Sequence, residues 1–111
     1  FDSRNYAKAR GILKEQLNKY PEGDYADRAH YWVGETYLVR DQLPEAIASF
    51  NRVSRFTRST KLDDARFKVA LAYLKMGKND HAREEFRKVI SHYPESDYAA
   101  RARKYLTELG E

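Results

Sequence analysis

Apolar residues in this chain recur at helical spacing in six blocks, each closed by a polar or chain-breaking residue. Tyr6, Ala9, Leu13, Leu17 and Tyr20 form the first stripe, which Pro21 ends. The second block, Ala29-His30-Tyr31-Trp32-Val33-Gly34-Glu35-Thr36-Tyr37, breaks at Asp41, a residue type that tolerates a left-handed backbone. Leu43, Ala46, Ile47, Phe50 and Val53 then share one helix face. Pro44 suits the first turn of that helix, where its missing N–H would have had no partner. The spacing predicts helices over 5–19, 25–40, 43–56, 62–76, 80–92 and 98–109. Asp24, Ser59 or Thr60, and Asn79 or Asp80 are the expected caps, and Gly77 the expected stop of the fourth helix. Phe1 to Asn5 reads as the end of an earlier helix plus its turn.

The block 29–56 is an αα-hairpin in which small residues, Gly34 and Ala46, let two helix axes approach closely. A lone hairpin cannot cover its own apolar face, so copies must stack. The segment 62–76 points the same way. Ala65, Phe67, Val69, Ala70, Leu71, Ala72, Tyr73, Leu74 and Met76 leave it apolar on most of its circumference, as in a helix sandwiched between neighbours or lining a groove.

Overlaying the blocks exposes a repeat. Ala9, Ala46 and Ala82 are 37 and 36 residues apart, and Leu13, Phe50 and Phe86 follow the same steps. Ala29, Ala65 and Ala102 are 36 and 37 apart, Gly34 matches Ala70, and Tyr37 matches Tyr73. Tyr20-Pro21-Glu22-Gly23-Asp24-Tyr25-Ala26 recurs as Tyr93-Pro94-Glu95-Ser96-Asp97-Tyr98-Ala99. Val33-Gly34-x-x-Tyr37 with Ala46-x-x-x-Phe50, and Val69-Ala70-x-x-Tyr73 with Ala82-x-x-x-Phe86, resemble the core positions of the tetratricopeptide repeat (TPR). His30 holds the usual first-helix Trp position, with Trp32 two residues on. The expected architecture is all-α: a right-handed α-solenoid of a half repeat, two full repeats and a closing helix, in one domain spanning 1–111.

A narrower resemblance rests on His30-Tyr31-Trp32-Val33-Gly34-Glu35, on the segment 20–26 before it, and on Lys61-Leu62-Asp63-Asp64-Ala65. These are similar to the C-terminal TPR domain of the YbgF/CpoB family, periplasmic cell-division coordinators of the Tol–Pal envelope system. The resemblance implies a periplasmic location, binding to TolA, and a link between outer-membrane constriction and the peptidoglycan-synthesis machinery. It also implies a signal peptide and a trimerising coiled coil ahead of this chain, whose first residue is Phe1 rather than Met. The runner-up is a component of outer-membrane protein assembly resembling the BamD lipoprotein family.

Composition removes several other functions. With no Cys there are no disulfides, thiolate metal sites or Cys nucleophiles. The net charge of +4 comes from interspersed signs, as in Arg83-Glu84-Glu85-Phe86-Arg87-Lys88, so a solvated surface is expected rather than a nucleic-acid footprint. A nucleic-acid-binding solenoid would need its cations gathered on one face. No run is long and apolar enough for membrane insertion. His30, His81 and His92 lack metal-ligand spacing, and His81 and His92 lie about 16 Å apart at about 1.5 Å per residue. There is no nucleophile elbow and no phosphate loop. Neither an enzyme nor any cofactor or metal is expected. The expected role is non-catalytic protein binding.

First helices line the inner curve of such a solenoid. The candidate groove is therefore Arg28, Tyr31, Glu35 and Leu38 from one hairpin, Asp64, Phe67, Leu71 and Leu74 from the next, and Arg101 and Lys104 from the closing helix. Phe67, Leu71 and Leu74 make a second apolar stripe, which either lies under the closing helix or meets a partner segment. Polar replacement of Phe67 and Leu71 is expected to weaken binding while leaving helicity intact. Trp32 is assigned to the core between hairpins, where burial contributes on the order of 2–3 kcal/mol. A Lys/Asn carboxylate clamp is rejected, because Tyr31, Glu35, Phe67 and Leu71 occupy its positions.

Overall fold

The computed structural model describes residues 3–111. They form six helices: α1 (Ser3–Lys19), α2 (Ala26–Leu38), α3 (Leu43–Val53), α4 (Leu62–Lys75), α5 (Asn79–His92) and α6 (Asp97–Glu108). There is no strand among the described residues. The turn expected over Phe1 to Asn5 is not found in its described part, since Ser3 to Asn5 already belong to α1; Phe1 and Asp2 lie outside the described residues.

Helix ends follow local chemistry. Asp41 has φ 56°, Gly77 has φ 75° and Gly110 has φ 91°. At each, the following N–H reaches back to a carbonyl near the end of the preceding helix: Gln42 to Tyr37 at 3.0 Å, Lys78 to Tyr73 at 2.9 Å, Glu111 to Leu106 at 2.9 Å. One left-handed residue thus ties off all three first-type helices, satisfying carbonyls that the helix itself leaves unpaired. The helices expected over 25–40 and 43–56 stop early, at Leu38 and Val53, because tighter turns take over. Pro44 sits in the first turn of α3 as expected.

The expected side-chain caps are mostly absent. Tyr25, not Asp24, precedes α2, and Lys78, not Asn79 or Asp80, precedes α5; neither makes a side-chain capping bond. Ser59 Oγ accepts from the Lys61 N–H at 3.0 Å, just ahead of α4. Ser96 caps α6, accepting from the Tyr98 N–H at 3.0 Å. Packing against neighbours fixes the other starts without a cap.

Each helix packs on its chain neighbours, and α4 also meets α6. The result is an elongated stack of 43 × 30 × 20 Å. Two apolar cores fill it. The first joins Tyr31 and Leu38 of α2, Phe50 and Val53 of α3, and Ala65, Val69 and Ala72 of α4. The second joins Phe67 and Ala70 of α4, Ala82, Phe86 and Val89 of α5, and Ala99, Ala102 and Leu106 of α6. α4 serves both cores from different faces, which is why its sequence is apolar nearly all round. These repeating hairpins are an all-α, TPR-like solenoid. α1 joins the stack differently: the Arg10 guanidinium lies 4.2 Å over the Tyr37 ring, and Lys14 Nζ donates to Tyr37 Oη at 2.5 Å.

The α2–α3 crossing is tight. A Cβ built on Gly34 would lie 2.7 Å from Phe50, whose ring is fully enclosed and cannot swing aside. Gly34→Ala gains about 1 kcal/mol of helix propensity. The overpacking cost of about 1–3 kcal/mol should outweigh it. Urea unfolding should therefore show net destabilisation, relieved when Phe50 is also shortened to Leu.

His30 packs on Phe56 with ring centroids 6.0 Å apart. Burial, then the charges of Arg52 and Arg55, push its pKa below the ordinary 6.5, with Glu22 opposing. The folded chain therefore favours the neutral ring. As pH falls through 6.5 the unfolded chain takes up the proton first, so stability drops. The thermal midpoint should decline between pH 7 and pH 5, and the decline should be shallower in His30→Asn.

Candidate protein-docking site

The first-type helices α2, α4 and α6 lie side by side, and polar side chains bridge the first pair. Tyr31 Oη donates to Asp64 Oδ2 at 2.8 Å. The Lys68 ammonium donates to Tyr31 Oη at 3.0 Å and to Glu35 Oε1 at 2.7 Å. It also stands 3.6 Å from Asp64 Oδ1, an oxygen with no hydrogen bond of its own. Lys61 holds its ammonium 4.8 Å over the Tyr31 ring. Asp64 is only 7% exposed, so its charge is held by these neighbours rather than by water. Burial first, then the Asp64 and Glu35 carboxylates, raise the Tyr31 hydroxyl pKa far above the ordinary phenol range. Tyr98 is pushed up to about 12 by burial and by Asp64, with Arg101 opposing. Both phenols stay protonated donors at physiological pH.

The second pair is bridged by rings. Phe67 is 0% exposed, with Phe86, Tyr98 and Tyr105 at centroid distances of 5.7, 5.2 and 5.9 Å. Phe86 and Tyr105 stack at 5.1 Å and 5°. Arg101 lays its guanidinium 4.7 Å over Phe67 and 5.3 Å over Tyr98. Ser96 Oγ donates to Asp63 Oδ2 at 2.5 Å, tying the entry of α6 to α4.

The structure therefore sorts the ten candidate groove residues. Tyr31, Glu35 and Asp64 converge on one cluster, organised by Lys68. Phe67 lies beneath α6, so the closing helix covers it and it offers nothing to a partner. Polar replacement there would cost about 3–5 kcal/mol of stability rather than report on binding, which corrects the expectation of intact helicity. Leu38 is buried in the first core, and Leu71 and Leu74 are half-buried against the second. Arg28, Arg101 and Lys104 are exposed. Trp32 departs from its core assignment: it is 48% exposed, with Tyr31 edge-on at 5.2 Å and the Lys61 ammonium 5.7 Å away. Lys68, which organises the cluster, is not among the candidates read from the sequence. Its spacing of four from Asp64 was the available signal. Away from this face, a cleft of about 370 Å³ opens between the end of α1 and the start of α2, lined by Leu17, Tyr20, Tyr25 and Ala29 among others. None of the ten candidates lines it.

Of the ten, Leu71 and Leu74 stay partly accessible and Arg28, Arg101 and Lys104 are exposed, on a rigid repeat scaffold. A family model described as YfiO, outer membrane lipoprotein, matches residues 1–111. The chain belongs to that family, which makes it a TPR-type interaction module of the cell envelope. No curated protein matches the chain. No helix among the described residues is long and apolar enough to cross a membrane.

Tyr31→Phe should cost roughly 1–3 kcal/mol, because it leaves Asp64 Oδ2 buried without its donor. Lys68→Met should cost about 3 kcal/mol, the low end for a broken buried pair, since two carboxylates then face each other. Chemical denaturation of both variants checks the order.

Proposed function

We propose that this chain is a non-catalytic docking module which holds an acidic, partly apolar segment of an envelope partner against the face of α4 and α6. The observation that carries this reading is that Leu71 and Leu74 of α4 stay only half-buried while Arg101 and Lys104 of the neighbouring α6 are exposed. Among the described residues neither cation forms an ion pair; Arg101 lies over the Phe67 and Tyr98 rings, and both side chains are exposed to a partner. Membership of an outer membrane lipoprotein family favours the BamD-like role, in which the partner belongs to outer-membrane protein assembly on the periplasmic side. The second reading is the Tol–Pal role, with TolA as partner and a connection to peptidoglycan synthesis. What supports it is the near-verbatim 20–26 and 93–99 connectors together with His30-Tyr31-Trp32-Val33-Gly34-Glu35.

The test uses the double variant Arg101→Glu, Lys104→Glu against purified barrel-assembly proteins and, separately, purified TolA. Affinity for the true partner should fall by about tenfold or more, given about 1 kcal/mol or more per desolvated charge contact. The circular dichroism melt should change little. Binding of neither protein by the unmodified chain would remove both readings. Binding unchanged by the double variant would move the docking face elsewhere.

A further inference from the structure

Among the described residues the large apolar side chains left exposed are Ile12, Tyr20, Tyr25, Trp32 and Val39, none of them beyond the connector that follows α2. The repeat register explains where they lie. Ala9, Ile12, Leu13 and Gln16 of α1 match Ala46, Ser49, Phe50 and Val53 of α3. In α3 all four positions are buried, and Phe50 packs directly on Gly34 of that hairpin's first helix. In α1, Ile12 is 52% exposed, Ala9 and Gln16 are exposed and Leu13 is half-buried. On the adjoining α2, Trp32 matches Lys68 and Tyr105, and Arg28 matches Asp64 and Arg101. Each of those four residues reaches back to the preceding first-type helix: Lys68 and Asp64 to Tyr31, Tyr105 and Arg101 to Phe67. Arg28 and Trp32 stand at the same two positions on α2, where Arg28 is exposed with its guanidinium 5.4 Å over the Tyr25 ring and Trp32 is half in solvent.

We infer that Ile12, Leu13, Arg28 and Trp32 form a seat for one further first-type helix, contributed by residues that precede Phe1 in the full polypeptide. The existing junctions specify its pattern. A small residue must sit over Leu13, as Gly34 sits against Phe50, and an aromatic must stand three residues earlier, as Tyr31 and Phe67 do. Arg28 then lies over that ring as Arg101 lies over Phe67, and Trp32 packs beside it. A second copy cannot supply this helix through α6, where Lys104 and Thr107 hold the aromatic and small positions. That pairing would set Lys104 against Arg28. The outward face of α6 is polar, with Arg103, Lys104 and Thr107 exposed, as suits the wetted end of a solenoid. Connectivity favours the same polypeptide. The two hairpins join their helices through residues 39–42 and 76–78 only. A helix seated in register would end one such turn from α1, and so would be held at high effective concentration.

The test places a photoreactive benzoylphenylalanine at Ile12 of the full-length protein and maps the cross-links by mass spectrometry. Links to residues upstream of Phe1 on the same chain support the seat. Links to a second copy, links to another protein, or none at all overturn it. Trp32, the single Trp of these 111 residues, gives an independent reading. Adding a copy of residues 62–78, which carries Phe67-x-x-Ala70, ahead of Phe1 should shift Trp32 emission to the blue and slow its quenching by acrylamide. The same extension with Ala70→Leu should not. Equal spectra from both extensions would sink the proposed pattern.

Discussion

The whole assembly depends on how closely the two helices of a hairpin can approach. Gly34 meets the Phe50 ring at a distance no Cβ could share, and Ala70 occupies the matching place in the core that contains Phe86. That approach sets each second helix flat against its first, and leaves the opposite flank of each first helix to find its own neighbour. Stacking follows because burying a Phe or Val side chain contributes about 1.5–3 kcal/mol, which no isolated hairpin can collect. α4 shows the consequence most directly, since its residues divide between two cores and its sequence carries no single polar face.

The inter-helix contacts on the inner side are of two kinds, and they do different work. Between α2 and α4 they are polar: Tyr31, Glu35, Asp64 and Lys68 bind one another at low exposure and so hold the two hairpins together, with Asp64 Oδ1 held by the Lys68 charge rather than by a hydrogen bond. Between α4 and α6 they are aromatic, with Phe67 locked among Phe86, Tyr98 and Tyr105. Rigidity at both junctions means that a partner meets a preformed surface. Of the ten candidate residues, Leu71 and Leu74 stay half-buried and Arg28, Arg101 and Lys104 stay exposed.

The two ends of the stack are unlike. α6 turns polar side chains outward, while α1, α2 and the connector between them leave Ile12, Tyr20, Tyr25 and Trp32 in solvent. Exposed apolar residues gathered at one place mark a surface that other atoms cover. Elsewhere among the described residues the large apolar side chains are at least partly buried.

The sequence by itself determined the helices and their stacking, because a period of 36 or 37 residues repeated small, aromatic and chain-breaking positions whose roles are local or nearest-neighbour. Asp41, Gly77 and Pro44 did what their backbone preferences require whatever surrounds them. Only the tertiary structure decided which inner-face residues stay available. The fate of Phe67 turned on how α6 lies across α4, and that of Trp32 on which side of α2 has a neighbour. Helical spacing gives the face of a side chain but not the presence of another helix opposite it. The groove was therefore legible as a face and illegible as a surface: exposure belongs to the pair of elements in contact, and a single element's pattern does not contain it.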